Sequence, residues 1–326
     1  MRFIFAVVLA AAALIGAGYA WINLSLDLAE ATVDLSVEPG TSVRDIATHA
    51  TQAGVATNAS LLYWWFRVSG QSRLIRAGSY EVTAGTTPRS LLRMLVRGEE
   101  SLRSVTLVEG WTFRQVQDAL RKAENLKPES AGLSPTALME RLGKPGTLPE
   151  GRFFPDTYTY SKGSSDLRVL QRALRAMDKQ LAAAWEQRTS ATPLRAPEQA
   201  LTLASIVEKE TGQSADRALI SAVFNNRLRI GMRLQTDPTV IYGMGEAFDG
   251  NLRKADLLRD TPWNTYTRDG LPPTPIAMPG KAALLAAVQP AASKALYFVA
   301  RGDGSSQFSG TLDEHNRAVN KYQRGQ

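Results

Sequence analysis

Two glutamates near the middle of the chain, Glu208 and Glu210, have the type and spacing that could do acid–base chemistry. They lie in the stretch LTLASIVEKETG, which has the pattern of a helix. With 3.6 residues per turn, Glu210 continues an apolar stripe formed by Leu203, Ile206 and Val207. Partial burial disfavours the charged form of a carboxyl and raises its pKa, which would suit Glu210 as a general acid. Cleavage of a glycosidic bond requires such an acid.

The other side of this helix is polar in sequence. Thr202, Ser205 and Lys209 form the opposite stripe, and Glu208 lies on an intermediate face that we expect to be nearer to solvent. Gly212 is expected to end the helix cleanly. A glutamate in this position could instead form a salt bridge with an arginine later in the chain, for which Arg217, Arg227, Arg229 and Arg233 are available. The stripe alone leaves both interpretations open.

The composition excludes several classes of function. The chain has 326 residues, which suggests about two domains, and 44% hydrophobic with 21% charged residues is typical of a globular protein. The absence of cysteine excludes disulfides, thiolate metal sites and a cysteine nucleophile. Only two histidines argue against a histidine metal cluster or a Ser-His-Asp triad. We therefore expect no metal site. No sequence motif indicates a cofactor or a nucleic-acid partner, and we expect neither, although a net charge of +7 favours anionic partners.

The first 22 residues indicate a membrane segment. From Phe3 to Ile22 every residue is apolar or small, and about 20 such residues span a bilayer as a helix. Arg2 predicts that the short end stays in the cytoplasm and that the body faces outward. A cleavable signal peptide is the alternative, because the residues that end at Ala20 resemble a cleavage site.

Three similar segments each lead from a strand into a helix: VEPGTSVRDIA, VTAGTTPRSLL and LVEGWTFRQVQ. In each, an apolar strand end is followed by a glycine suited to a tight turn and by a hydroxyl residue able to cap a helix. The capping candidates are Ser42, Thr87 and Thr112. The pattern predicts strand–turn–helix units, although common capping chemistry could also recur by chance. The aromatic run YWWF at 63–66 is interpreted as part of a core helix, with a carbohydrate-stacking platform as the alternative.

Several segments together resemble the MltG (YceG-like) family of endolytic murein transglycosylases. They are ASIVEKET, NRLRIGMRLQTDPTVIYG, WNTYTRDGLPP, EGRFFPDTY and the HN near the end, and the resemblance covers nearly the whole chain. It implies an α+β fold with three parts: a transmembrane anchor at 1–22, a small LysM-like α/β glycan-binding module at 33–104, and a mixed α+β catalytic domain at 105–326. It also implies a single-pass protein of the inner membrane with its catalytic body in the periplasm.

The resemblance implies a lyase that cuts the β-1,4 bond between N-acetylmuramic acid and N-acetylglucosamine in nascent glycan strands. The product would carry a 1,6-anhydro end, and the cut would set strand length. The catalytic glutamate of the family is the second in EKE, which is Glu210 here, and the stripe argument selects the same residue. Thr211 stands where other lytic transglycosylases tend to have serine. Partners would be peptidoglycan strands and, by analogy, peptidoglycan synthases.

One acid suffices for this reaction, since Glu210 can donate a proton to the leaving oxygen and then accept one from the 6-hydroxyl of the sugar. We expect polar side chains to orient the glycan: Glu150, Asp156, Asn226, Gln235, Asp237, Tyr242, Asn264 and Tyr266. Asp237 could instead shape a turn, and Tyr242 could belong to the core.

Two alternative functions stay open. A hydrolysing muramidase would need a second carboxylate, Asp237 or Glu208, and a non-catalytic glycan-binding scaffold would need none.

Overall fold

The computed structural model describes residues 2–210 and 213–324, and it confirms the mixed α+β class. The chain divides into two compact units. The N-terminal unit contains Met1–Arg103, Glu124–Leu126 and Thr159–Ser164, and the C-terminal unit contains Ser104–Ala123, Lys127–Tyr158 and Ser165–Gln326. Among the described residues the strands form four two-stranded sheets, so helices supply most of the packing.

The first half of the chain alternates strands and helices. Its elements are α1 (Arg2–Asn23), β1 (Asp27–Leu28), β2 (Thr32–Val37), α2 (Val43–Gln52), β3 (Val55–Ala56), α3 (Ala59–Val68), β4 (Gly78–Thr83), α4 (Pro88–Arg97), β5 (Leu102–Thr106) and α5 (Phe113–Lys122). The sheets pair β1 with β3 and β2 with β4, both antiparallel. The β2–β4 ladder runs over six residue pairs, from Thr32 opposite Thr83 to Val37 opposite Gly78.

The second half is mainly helical. Its elements are α6 (Pro135–Arg141), β6 (Thr157–Ser161), α7 (Asp166–Glu186), α8 (Pro197–Glu210), α9 (Ser214–Arg229), α10 (Asp237–Met244), α11 (Lys254–Leu258), α12 (Lys281–Val288), β7 (Tyr297–Ala300), β8 (Ser306–Ser309) and α13 (Leu312–Gln323). β6 pairs with β5, and β7 pairs antiparallel with β8.

The strand–turn–helix prediction is confirmed in all three places. Gly40, Gly85 and Gly110 lie in the turns with φ of +85°, +88° and +77°, a region that favours glycine. The hydroxyls of the three predicted capping residues accept backbone N–H groups in the first turns of α2, α4 and α5. Each cap satisfies a donor that the helix itself leaves unpaired, so these helices start where the sequence predicts.

The first helix, α1, is long and apolar enough to cross a membrane. Its segment Phe3–Asn23 has a mean hydropathy of 2.3, and its side chains are largely exposed. At 1.5 Å per residue, 21 residues extend about 30 Å, which matches the hydrocarbon thickness of a bilayer. A signal sequence near the N-terminus would meet the same criterion.

The core of the N-terminal unit forms between the β2–β4 ladder and the helices α2, α3 and α4. Leu35 and Tyr80 of the ladder and Phe66 of α3 are all buried in it. The predicted core role of the aromatic run therefore holds for Phe66. Trp64 is different, since it lies on the outer face of α3 and is 62% exposed.

The core of the C-terminal unit surrounds α8, which packs against α7, α9 and α12. Every residue from Ala200 to Val207 is buried, including Thr202 and Ser205. The predicted polar, outward stripe is wrong at these two positions, because neighbouring helices cover that face as well. Their hydroxyls are satisfied inside the fold: Ser205 donates to the Thr202 carbonyl at 2.7 Å and accepts the Ile276 N–H at 3.0 Å.

Candidate active site

The Glu210 carboxyl lies at the end of the buried helix α8, as its last residue. Its Oε1 accepts a hydrogen bond from the hydroxyl of Thr236, which is 2% exposed and directly precedes α10. Burial raises the pKa of Glu210 to about 7, the Thr236 bond and the Arg227 charge lower it, and the Asp237 charge raises it further. The carboxyl is thus held in one orientation and can keep its proton near neutral pH.

The loop that delivers Thr236 is held by a second threonine. The N–H of Thr236 donates to Thr265 Oγ1 at 3.1 Å, and the N–H of Gln235 donates to the Thr265 carbonyl at 3.1 Å. Gln235 has φ of +49°, in the left-handed region that residues other than glycine seldom adopt. Its side chain is exposed, while Thr236 beside it is buried. The strained backbone therefore aims neighbouring side chains in opposite directions, one to solvent and one to Glu210.

Asp237 and Tyr266 flank the same carboxyl. The Tyr266 hydroxyl donates to Asp237 Oδ1 at 2.5 Å. Burial raises the pKa of Tyr266, and the charges of Asp237 and Glu210 raise it further, which places all three groups within electrostatic reach of one another. Asp237 is exposed, so it can contact a ligand. Of the eight residues predicted to orient the glycan, Asp237 and Tyr266 are the ones brought within electrostatic reach of Glu210, while the Gln235 side chain is exposed on the adjoining loop.

Glu150 and Tyr242 form a separate buried pair. The Tyr242 hydroxyl donates to Glu150 Oε2 at 3.1 Å, and the Phe113 N–H donates to both carboxyl oxygens at 3.0 and 3.2 Å. Burial raises the pKa of Glu150 to about 7, and these hydrogen bonds lower it. The ring of Trp263 packs edge-on to Tyr242 with centroids 5.4 Å apart. The pair fastens the start of α5 to α10, and in the described part of the chain no hydrogen bond joins it to Glu210.

The three remaining predicted residues bond to backbone. The Asn226 amide donates to the carbonyls of Ser293 and Ala295, each at 2.9 Å. The fully buried Asn264 donates to two carbonyls in the loop at the end of α11. Asp156 is exposed and accepts the N–H of the next residue at 2.7 Å. The two amides therefore brace loops around the site.

Thr236 and Thr265 are site residues that the sequence patterns did not single out, whereas Arg227 is one of the four arginines considered as salt-bridge partners of the glutamate. Arg227 is buried and donates to the carbonyls of Leu296 and Leu234, each at 2.7 Å. Its charge lies close enough to Glu210 to lower the pKa of that carboxyl. The available signal was the motif NRLRIGMRLQTDPT, in which both Arg227 and Thr236 stand among the residues that carry the family resemblance.

His315 and Arg227 both contact the ring of Tyr297. The His315 ring stacks on Tyr297 at 5.2 Å, and the Arg227 guanidinium lies over the same tyrosine ring at 5.2 Å. Burial lowers the pKa of His315 and the Arg227 charge lowers it further, so the imidazole is held neutral. The histidine therefore supports the arginine through Tyr297.

Glu208, the other member of the EKE pair, serves a different contact. Its Oε2 accepts the Gly280 N–H at 2.9 Å, and burial raises its pKa with a further contribution from the charge of Glu109. Two residues along a helix turn the side chain by about 200°, so Glu208 and Glu210 point to nearly opposite sides. Within residues 2–210 and 213–324, no three acidic or histidine side chains come together as a metal site.

The buried Glu150 gives a prediction for stability. Its pKa is about 7 when folded and near 4.5 when unfolded, so its stabilising contribution is complete below pH 4.5 and is lost as the pH rises through 7. Glu150→Gln, which does not titrate, should match wild type at pH 5 and be more stable at pH 8 by roughly 2–3 kcal/mol. Urea unfolding at both pH values measures this, with the exposed Glu140→Gln as control. Equal stability of Glu150→Gln and wild type at pH 8 would contradict it.

Comparisons with known proteins agree on one family. The profile of the YceG-like family matches residues 35–321. A protein of Bacillus subtilis named endolytic murein transglycosylase is 30% identical over 308 residues, covering 89% of this chain and 85% of that protein. One of the same name from Streptococcus pneumoniae is 27% identical over 320 residues, but this chain covers only 58% of its length. The crystal structure of a yceG-like protein from Listeria monocytogenes matches 88% of this chain and 98% of its own with a TM-score of 0.54 and 30% identity.

Proposed function

Because the chain belongs to the YceG-like family, we propose that it is an endolytic murein transglycosylase, the activity for which its relatives in B. subtilis and S. pneumoniae are named. The proposed reaction cuts the β-1,4 bond between N-acetylmuramic acid and N-acetylglucosamine within a nascent glycan strand. It leaves a 1,6-anhydro end and requires neither metal nor cofactor. Such cuts would terminate strands and set their length.

The observation that carries this proposal is the state of Glu210. A carboxyl that retains its proton near pH 7 is the group needed to protonate a poor leaving oxygen. Thr236 occupies Oε1, which leaves Oε2 as the oxygen that carries the proton. Among the carboxylates nearby, Glu210 alone combines burial, an oriented hydrogen bond and the position that the family resemblance assigns to the acid.

The steps balance with this single acid. Glu210 transfers its proton to the glycosidic oxygen while the bond from that oxygen to the anomeric carbon breaks, giving an oxocarbenium-like state. The resulting carboxylate, stabilised by the Thr236 hydroxyl, then accepts the proton of the 6-hydroxyl. The 6-oxygen bonds to the anomeric carbon and closes the anhydro ring. Glu210 ends protonated as it began, and water is not consumed.

We assign the orienting roles according to position. Asp237 and Tyr266 lie beside the acid and Gln235 is exposed on the adjoining loop, and all three are proposed to contact the sugar that is cut. Glu150 with Tyr242, Asn226 and Asn264 are proposed to shape the cleft from behind, since their polar atoms already bond to protein groups. Asp156, which is exposed, is proposed to contact the strand farther from the cut.

Product analysis in water labelled with ¹⁸O tests the reaction. Full-length protein in detergent is incubated with uncrosslinked glycan strands, and the fragments are weighed by mass spectrometry. The proposal expects anhydro ends that carry no label, because the attacking oxygen comes from the sugar. Labelled reducing ends would show hydrolysis and overturn the transglycosylase assignment.

A hydrolysing muramidase is the second candidate, because Asp237 lies close enough to Glu210 to raise its pKa. In that reaction Asp237 would activate a water or attack the anomeric carbon. The Tyr266 hydroxyl donates to Asp237 Oδ1 at 2.5 Å, which orients that carboxyl for either role. The labelled-water experiment separates the two candidates in one measurement.

The remaining parts are proposed to bring the acid to its substrate. Residues 1–22 would anchor the chain in the inner membrane with the body in the periplasm, residues 33–104 would form a LysM-like module that holds the strand, and residues 105–326 would form the catalytic domain. An anchored enzyme meets strands as they leave the membrane, where peptidoglycan synthases are the expected neighbours. Single-pass anchoring is supported by the length and apolarity of α1.

The acid form of Glu210 gives a pH prediction. Since only the protonated carboxyl starts the reaction and its pKa is about 7, the rate should be nearly constant below pH 6 and fall about tenfold for each pH unit above 8. Between pH 6 and pH 9 we expect a loss of about a hundredfold. Initial rates of fragment release across this range measure it, with circular dichroism to confirm that the fold persists. A rate that rises with pH would point to a base as the first catalyst.

A further inference from the structure

A cleft of about 410 Å³ lies between α3 and α4 in the N-terminal unit. One wall is formed by Trp65 and Ser69, and the other by Arg89, Arg93 and Arg97 of α4. The indole N–H of Trp65 donates to the Pro88 carbonyl at 3.0 Å, so this ring is fixed as part of the wall. The cleft belongs to a different unit from Glu210, and the proposed reaction makes no use of it.

The arginine wall lacks enough negative charge to balance it. Arg89, Arg93 and Arg97 are spaced by four residues, so they form one stripe, and like charges at this spacing destabilise a helix. Glu99 approaches Arg97 at 3.5 Å, but both side chains are more than half exposed. In the described part of the chain neither Arg89 nor Arg93 forms an ion pair. An anion in the cleft would remove this repulsion, and a guanidinium matches the oxygens of a phosphate with paired hydrogen bonds.

The cleft begins at the level where α1 would leave the membrane. The guanidinium of Arg89 lies over the ring of Tyr19 at 5.4 Å, and α1 packs against α4. Tyrosine near the end of a membrane span is typical of the headgroup level. Arg93 and Arg97 lie one and two turns farther, about 6 and 12 Å along α4, and continue the same row of charges.

The outer face of α3 beside this cleft is apolar. Leu61, Trp64 and Val68 are 51%, 62% and 78% exposed, and their spacing places them on one side of the helix. A soluble surface seldom leaves such a group together, and an interfacial membrane surface combines large apolar side chains with arginines in this way.

We propose that the cleft between α3 and α4 binds the phosphate headgroup of an anionic membrane lipid, with Leu61, Trp64 and Val68 inserted at the interface. The inference rests on the proposed anchoring by α1, because that helix brings the cleft to the headgroup level. Lipid binding fixes the N-terminal unit against the membrane and leaves the chemistry of Glu210 unchanged. A phosphate headgroup is favoured because its charge and oxygens match a row of guanidiniums, and because α1 packs against α4 beside Arg89.

A lipid titration of the full-length protein in neutral detergent tests the proposal. Native mass spectrometry measures the binding of dioleoyl phosphatidylglycerol and, in parallel, of zwitterionic dioleoyl phosphatidylcholine. The variant is Arg93→Gln/Arg97→Gln, and the matched control is Arg168→Gln/Arg175→Gln, two exposed arginines of α7 in the other unit. Each arginine near an anionic surface contributes a factor of about five, so the α4 variant should bind phosphatidylglycerol about 25-fold more weakly.

The result expected is selective binding of phosphatidylglycerol by wild type and control, reduced in the α4 variant, with unchanged thermal midpoints. Equal binding by the α4 variant overturns the proposal. So does displacement of the lipid by glycerol phosphate at the lipid's own concentration, which would show a site for a soluble phosphate. Loss of glycan binding instead of lipid binding in the α4 variant would assign the cleft to the glycan.

Two further readouts separate this inference from the proposed anchoring and the proposed activity. Retention of the protein in membranes after an alkaline wash reports anchoring by α1 alone. If anchoring fails, the titration in detergent still measures lipid binding in the cleft. The control variant Arg168→Gln/Arg175→Gln should cut soluble glycan strands at the wild-type rate, because both arginines are exposed on α7. A failed cleavage assay for wild type would count against the proposed activity and leave the lipid titration unaffected.

Discussion

Replacing Glu210 by glutamine should reduce the rate of glycan cleavage by at least about a thousandfold without loss of stability. General acid catalysis contributes roughly 10²- to 10⁴-fold, and here one group is both the acid and the base of the two steps. Glutamine has nearly the same shape, and its carbonyl oxygen can still accept the hydroxyl of Thr236. Mass spectrometry of fragments gives the rate, and a thermal melt shows that the fold is retained.

Glu208→Gln is the matched control for this experiment. It removes a carboxyl two residues away, while an amide oxygen in its place can still accept the Gly280 N–H. The control should keep most of the wild-type rate. Cleavage by Glu210→Gln at a comparable rate would place the acid elsewhere. If wild type itself released no fragments but bound strands as well as Glu210→Gln does, the protein would be a glycan-binding scaffold.

Replacing Thr236 by valine should slow cleavage by about 10- to 100-fold and move the pH profile. Valine keeps the shape of the buried side chain but cannot donate to Glu210 Oε1, so the carboxyl loses its orientation and its stabilised anion. The hydrogen bond lowers the pKa of Glu210, so its loss must raise that pKa above 7. The fall in rate at alkaline pH should therefore begin at a higher pH in this variant.

The direction of this shift distinguishes a role in positioning the acid from a general loss of structure. A partly unfolded variant would be slower at every pH with an unchanged profile. Thr236→Ser restores the donor and should recover both the rate and the wild-type profile. A profile for Thr236→Val that is unchanged, or that moves to lower pH, would contradict the assigned hydrogen bond.

The parts of the fold that depend on neighbouring residues were predictable. A glycine, then a hydroxyl residue and an apolar periodic stretch, located the starts of α2, α4 and α5, because caps and turns are satisfied within a few residues. The apolar first helix comes from a pattern of the same local kind, whereas the mixed α+β class was implied by the family resemblance. The apolar stripe also located Glu210 against the core of the C-terminal unit.

Contacts between distant residues were not predictable from the pattern. Thr202 and Ser205 are buried because helices from elsewhere in the chain pack over them. The residues next to them in sequence give no indication of this packing. Thr236 reaches Glu210 across 26 residues, and Thr265 holds Thr236 across 29. The role of Asn264 likewise depends on which loop carbonyls fold toward its amide. The residue type of Asn264 indicated that it would form hydrogen bonds, but only the fold shows whether its bonding partner is a protein group or a ligand.

The position of the acid at the end of α8 has a consequence for its protonation beyond burial. The last carbonyl groups of a helix lack partners within it, and the aligned peptide dipoles place about half a negative charge at that end. A carboxylate at Glu210 is repelled by this charge, whereas a neutral carboxyl is not. This repulsion acts in the same direction as the burial that raises the pKa of Glu210. The direction in which this central helix runs thus favours the acid form before any substrate arrives.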